Sequence, residues 1–222
     1  MTISISFKSN AQQSSDSVED VDGNVYKTVK IGTQLWFAEN LYTARFNDST
    51  EIQLVTDGTI WAELTTPAYC WYNNEPVNKS VYGALYNWYA VSTNKLCPLG
   101  WHVPTKDEWI TLVGYVNNDG GRLKEVGPTL FKNPKYNPNI GATNESGFTG
   151  RFGGVRSIHG IYYSNRQSGF WWTSSEYTES TLFSEWKFND AFAFALGLKS
   201  SGFGFYHNNK LTGYSIRCIE DN

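Results

Sequence analysis

The chain has 222 residues, enough for one large domain or two small ones, and carries 18 basic and 21 acidic side chains for a net charge of −3. No basic run occurs, which argues against a nucleic-acid partner, because phosphate binding needs clustered Lys and Arg. No stretch of about 18 apolar residues occurs, so nothing in the sequence reads as a membrane span.

Aromatic residues make up 16% of the chain, with nine Trp and fourteen Tyr, against 18% charged residues. That balance fits a β-rich, aromatic-packed module better than a helical cytosolic enzyme, and a large aromatic core accounts for most of these rings. Three cysteines, Cys70, Cys97 and Cys218, leave an odd thiol in an oxidising compartment. Their spacing suits no zinc site, and the three histidines are far apart in sequence.

Residues 1–20 are polar and rich in Ser and Gln, and read as a flexible leader whose low hydrophobicity does not offset the entropy of ordering. The leader has no apolar segment of the kind a signal peptide needs, which leaves a cytosolic protein or, the favoured reading, the mature end of an exported chain. Residues 21–222 read as a single domain. Asp22-Gly23-Asn24 predicts a hairpin turn into an alternating strand, Val25 to Ile31. Leu35-Trp36-Phe37 is a short buried strand. Residues 42–68 form a long loop with a β-like piece around Ile52 to Val55. A further short strand follows at Ala68 to Tyr72. Ser80 caps a predicted helix through Val91, in which Tyr82, Leu85, Tyr86 and Tyr89 recur at i, i+3, i+4 and i+7. Thr105 and Glu108 form a capping box before a second helix with Trp109, Leu112, Val113 and Val116 on one face. A short helix from Arg122 to Val126 follows, then a loop-rich stretch, residues 127–168.

The last fifty residues carry the strongest pattern. After a strand at Phe170 to Ser174, the even positions Trp186, Phe188, Phe192, Phe194, Leu196 and Leu198 are large and apolar. The odd positions Ala191, Ala193, Ala195, Gly197 and Lys199 are small or polar. Period two means a strand with successive side chains on opposite faces. The even face is expected to meet a core, and the odd face solvent or a partner. Residues 199–202 read as a turn, after which Phe203 and Phe205 resume the apolar face, and residues 207–210 read as a second turn before the strand carrying Cys218. Two helices early and an antiparallel meander late, without a linker, predict an α+β fold.

The outward face of this hairpin is the candidate ligand-binding surface: Ala193, Ala195, Gly197, Lys199, Gly204, Tyr206, His207 and Asn208. Small side chains leave the backbone approachable, and Tyr offers a broad apolar face and a hydroxyl at low entropic cost. The competing reading is that these positions are small because another segment packs over them. No catalytic residue is expected. There is no paired-carboxylate motif, no Gly-x-Ser-x-Gly elbow and no P-loop. His102 reads as structural, and Asn144-Glu145-Ser146 with Arg156 as a loop-ordering polar network.

Six segments in order resemble the Fibrobacter succinogenes major paralogous domain family. They are Val29-Lys30-Ile31-Gly32 with Trp36-x-Ala38-Glu39-Asn40-Leu41; Tyr82-Gly83-x-Leu85-Tyr86-x-Trp88; Cys97-Pro98-x-Gly100-Trp101-His102-Val103-Pro104 with Glu108-Trp109; Ala142 to Phe148; Trp171 to Glu176; and Gly213-Tyr214-Ser215-Ile216-Arg217-Cys218. The resemblance implies a C-type-lectin-like fold, two helices packed on a twisted antiparallel sheet with long loops, in bacterial surface or secreted proteins. It brings no activity and no cofactor. In lectin-like domains a cysteine near the helices is commonly bridged to one on the last strand, which implies Cys97–Cys218 and leaves Cys70 free and buried; three reduced, buried thiols are the alternative. The C-terminal strands also resemble variable proteins of diversity-generating retroelements, in which inward residues are retained and outward positions rewritten. Trp186-Lys187-Phe188-Asn189-Asp190 and Glu75-Pro76-Val77 are only loosely similar to the calcium motifs of sugar-binding lectins, and a turn at Asn189-Asp190 is the better reading, so no metal is expected. The expectation is therefore a non-enzymatic, extracellular or cell-surface module that recognises a glycan or protein ligand on another cell or host surface. A structural or adhesive module, such as a pilus-tip or phage receptor-binding component, is the alternative.

Overall fold

A computed structural model describes residues 17–126, 139–164, 167–178 and 189–221. Strand β1 (Ser17–Glu19) begins inside the segment read as leader; residues 1–16 lie outside the described residues. The Asp20 carboxylate builds the turn after it. It accepts the backbone N–H groups of Asp22 and Asn24, the Asn24 side-chain amide and, at 2.7 Å, the hydroxyl of Tyr26. The chain then runs into β2 (Val25–Ile31) and back through β3 (Gln34–Phe37), with Val29 opposite Trp36. The long loop contains β4 (Gln53–Leu54) and a single helical turn, α1 (Gly58–Ala62), whose first N–H groups are capped by the Asp57 carboxylate. Strand β5 (Ala68–Cys70) lies parallel to β4.

The predicted helix from Ser80 to Val91 is not continuous. It is divided into α2 (Lys79–Tyr82), β6 (Leu85–Tyr86) and α3 (Trp88–Val91). Gly83 makes the break. It sits at φ +74°, and a Cβ there would stand 2.6 Å from the Asn40 Cβ, so the chain turns out of the helix by pressing its backbone against the Asn40–Leu41 segment. Asn87 then caps α3 by accepting the Ala90 N–H. Residues 82–88 are buried throughout. A run surrounded by core on every side carries no reliable helical period, which is why the i, i+3, i+4 spacing misleads here.

After β7 (Trp101–His102), the second predicted helix forms as α4 (Lys106–Tyr115), with the Thr105–Glu108 capping box in place and Trp109, Leu112, Val113 and Val116 buried. The helix expected at Arg122 to Val126 is a 3₁₀ turn, Gly120–Leu123, followed by extended chain. The remaining elements are strands: β8 (Val155–Arg156), β9 (Tyr162–Tyr163), β10 (Ser168–Glu176), β11 (Asp190–Gly197), β12 (Phe203–Asn209) and β13 (Ile219–Glu220).

Two sheets dominate this mixed α+β architecture. One has the order β1-β2-β3-β13-β7; the other is the antiparallel meander β10-β11-β12. Smaller sheets are formed by β4-β5-β6 and β8-β9. The meander divides two aromatic cores. Ala191 and Ala193 belong to one, with Trp88, Trp172 and Tyr214; Phe194 and Leu196 belong to the other, with Trp36, Trp109, Phe148 and Trp171. Trp109 stacks on Phe194 with ring centroids 4.3 Å apart. Trp186 and Phe188, expected to extend the even face of β11, lie outside the described residues. Cys97 and Cys218 are joined as a disulfide with Cα atoms 6.0 Å apart, and Cys70 is free and buried.

Among the described residues Arg217, Arg156 and Lys124 have no exposed surface, and each is bonded to main-chain carbonyls and to no described carboxylate. Arg217 donates to Phe37 O, Phe148 O, Thr149 O and the Asn40 side-chain oxygen. Arg156 donates to Val55 O, Thr56 O, Asp57 O and Gly160 O, and lies over Trp61. The Lys124 ammonium donates to Ile140 O, Gly197 O and Ser200 O. Buried carbonyls need donors, and long loops have few partners within themselves, so these side chains supply what a sheet would supply elsewhere.

Candidate functional site

The register of the meander decides which candidate residues share a face. Phe170, Ala195 and Gly204 form one row across the three strands, and Trp172, Ala193 and Tyr206 form the next. Residues directly opposite in antiparallel strands point the same way. Asn208, opposite Ala191, therefore shares the Tyr206 face, whereas His207, opposite Phe192, points to the other side. The expectation that His207 stands beside Tyr206 is thus corrected: the period of two that put Phe203 and Phe205 inward places residue 207 with them. His207 Nδ1 meets the Asp190 carboxylate at 2.8 Å and its ring stacks on Tyr177 at 4.0 Å.

Ala193 and Ala195 are also corrected. They are 0% and 7% exposed and are not available to a ligand. The chain after β12 turns back along β10, with the Ser215 N–H donating to Phe170 O and the Trp172 N–H donating to Ser215 O. It lays Tyr214 against Phe170 at 5.1 Å and Trp172 at 4.6 Å. Ala193 shares one buried cluster with Tyr214 and Trp172, so it serves packing rather than a ligand.

What stays open is the outer strand and the turn. Tyr206 is 54% exposed and Lys199 is exposed, while Gly197, Gly204 and Asn208 are half-buried. A Cβ at residue 204 would stand 2.7 Å from the Tyr206 ring, so the ring lies across this position and glycine is what admits it. At the tip of the hairpin a depression of about 250 Å³ is lined by Gln167, Ser168, Gly197, Leu198, Lys199 and Ser200. Lys124 holds two of the turn's carbonyls from the interior. Sequence reasoning missed Lys124: a single lysine after Leu123 carries no signal that distinguishes it from a solvated one.

Other candidates resolve as structure. Arg156 does not join Asn144, Glu145 and Ser146; Ser146 donates to Arg122 O and Glu145 pairs with Arg122 at 3.3 Å. Asp190 opens β11 rather than turning, and Asn189 donates to the Tyr89 hydroxyl. Among the described residues no group of three His, Cys, Asp or Glu side chains converges on a point that could hold a metal. Cys70 is pushed to a higher pKa by burial, which leaves it a poor nucleophile.

His102 is a three-way tie. Nδ1 lies 2.6 Å from the Asp221 carboxylate and Nε2 lies 2.9 Å from Glu108, which also caps α4. The Glu108 bond raises the His102 pKa above its ordinary 6.5, against burial, with help from Asp221. Burial pushes the Glu108 carboxyl up, and its bonds to His102 and Thr105 together bring it below 4.5. The His102 contribution to stability is complete below its unfolded-state pKa of 6.5 and is lost as pH rises through the higher folded-state value. The Glu108 contribution is complete above 4.5 and is lost as pH falls through the lower folded-state value. Both are fully present only in the mildly acidic window between. Thermal unfolding followed from pH 5 to 8.5 is expected to show the advantage of the native chain over His102→Gln shrinking as pH rises; an advantage that does not change with pH would refute it.

A mixed α+β domain with a buried aromatic interior, a disulfide and one open hairpin face is the class these features define. The chain belongs to the Fibrobacter succinogenes major domain family, whose model matches residues 29–220. No curated protein and no solved structure matches the chain. Among the described residues no helix is long and apolar enough to cross a membrane. The segments that carry the family resemblance meet in the interior. The Asn40 side-chain oxygen accepts both Trp171 Nε1 and Arg217 Nε, its amide donates to Tyr82 O, and Trp36 and Trp109 pack against Phe148. These motifs specify packing, and the open face lies outside them.

Proposed function

We propose that this chain is a surface or secreted, non-enzymatic binding module of bacteria with a C-type-lectin-like arrangement, taking a glycan or protein ligand on the open face of its C-terminal hairpin. The observation that carries the reading is the Tyr206 ring, more than half exposed, lying across Gly204 on the strand that leads from the depression at the tip. A flat aromatic with a free outer face gives apolar contact without further ordering cost, and Lys199 beside the depression supplies a charge at the rim. The bridge between Cys97 and Cys218 supports an oxidising compartment and the lectin-like arrangement. Ala193 and Ala195, two of the positions that the resemblance places among rewritten ones, are sealed and are left out of this face.

The test is a glycan and protein-partner array probed with the native chain, Tyr206→Ala and Lys199→Ala. Binding by the native chain that falls about tenfold or more in Tyr206→Ala, the scale of a contact worth more than about 1.4 kcal/mol, supports the reading. A ligand bound equally by both variants would place the site elsewhere. The structural or adhesive alternative draws on β12 being an end strand of its sheet among the described residues, the kind of position where sheets join. Light scattering that finds a defined multimer, with no ligand on the arrays, would favour that alternative.

A further inference from the structure

The turn between β11 and β12 walls the depression at the hairpin tip, and a buried charge seats it. Lys124 has no exposed surface, and its ammonium finds Ile140 O at 2.5 Å, Ser200 O at 2.8 Å and Gly197 O at 3.2 Å. An ammonium has three N–H donors and no acceptor, so these three carbonyls use its full capacity. The same loops touch once more, where the Ile140 N–H donates to Leu198 O at 2.9 Å. Burial lowers the Lys124 pKa and the charge of Asp119 opposes that shift.

A cation surrounded by neutral main-chain oxygens is the kind of environment that loops otherwise build for a metal ion. We propose that Lys124 is a tethered counterpart of such an ion: its ammonium gathers the carbonyls of Ile140, Gly197 and Ser200, sets the shape of the turn over residues 197–202 before any ligand arrives, and leaves, when truncated, a vacancy that a small cation can fill. Lys124 is thus a positioning residue that acts on a ligand only through the turn. Its functional meaning rests on the reading of the hairpin as the binding face; its structural meaning does not. A tethered charge has one advantage over a bound ion. It is present at every external ion concentration, so the turn keeps its shape without a metal supply.

The experiment is amide hydrogen exchange across residues 139–142 and 197–202 in the native chain, Lys124→Ala and Lys124→Met. In both variants exchange at the Ile140 amide is expected to accelerate by about ten- to hundredfold, the equilibrium weight of a hydrogen bond to a charged group. Added ammonium, methylammonium or potassium should restore protection in Lys124→Ala, and tetramethylammonium at equal ionic strength should not. Lys124→Met should not respond, because its own stem fills the vacancy. A Met variant with native protection, or an Ala variant that no small cation restores, overturns the proposal. Should neither variant fold, nuclear magnetic resonance of the native chain decides. A slowly exchanging NH₃⁺ group coupled through hydrogen bonds to the carbonyl carbons of Gly197 and Ser200 supports it, and a freely exchanging amine overturns it. Tyr206→Ala should keep a fully protected turn, so failure of the arrays would sink the binding reading without touching Lys124.

Discussion

Replacing Arg217 with methionine is expected to destabilise the protein by about 3–5 kcal/mol, high for a single substitution because it strands several buried acceptors at once. Arg217 is wholly buried, and its guanidinium serves four oxygens in two separate stretches of chain: Phe37 O and Asn40 Oδ1 in one, Phe148 O and Thr149 O in the other. Methionine fills much of the volume but leaves those acceptors without donors, and each unsatisfied buried group costs about 1–3 kcal/mol. Burial pushes the Arg217 pKa down to about 9, which still leaves the group charged at neutral pH. Lysine is expected to fare little better, since a compact ammonium on a flexible stem does not reproduce a planar fork of donors. Urea unfolding measures the effect. A change below about 1 kcal/mol would mean that water or relaxation replaces the network, and that the carbonyls do not depend on the guanidinium.

Opening the disulfide is the second large effect. Cys97 and Cys218 are 121 residues apart in sequence, and closing a loop of that size constrains the unfolded chain by about 4–5 kcal/mol in the chain-entropy model. The Cys97→Ala, Cys218→Ala double variant should therefore unfold at a much lower denaturant concentration than the oxidised native chain. Reductant should lower the native midpoint and leave the double variant where it is, because Cys70 forms no disulfide. The bridge joins the segment entering β7 to the segment entering β13, two neighbours in the first sheet, so its loss should loosen that sheet before the meander. An unchanged midpoint under full reduction would show that packing alone holds these strands.

Local features were legible because local physics makes them. The capping box at Thr105 and Glu108, the turn at Asp22-Gly23-Asn24 and the alternation of β11 each depend on residues within a few positions of one another. The broken helix at Gly83 was not legible, because the contact that breaks it comes from Asn40, more than forty positions away. The candidate site was legible only in part. Tyr206, Lys199 and Gly204 were found as members of a face, and the exposed ring is what makes two of them interesting. Ala193 and Ala195 show the limit of the pattern: a small residue in a strand has the same signature whether it faces solvent or supports a neighbouring layer.

The sequence by itself determined the family, the α+β class, the helix cap and the period of each long strand, all of which follow from nearest neighbours or from motifs read in order. Only the tertiary structure decided which part of the hairpin face is open. It laid Tyr214 against Phe170 and Trp172, sealed Ala193 and Ala195, left Tyr206 exposed on the same side and brought the Lys124 ammonium under the turn. The physical reason is that exposure is a property of what else packs nearby, and the packing partners of residues 193 to 208 come from segments that no period or spacing in the hairpin names.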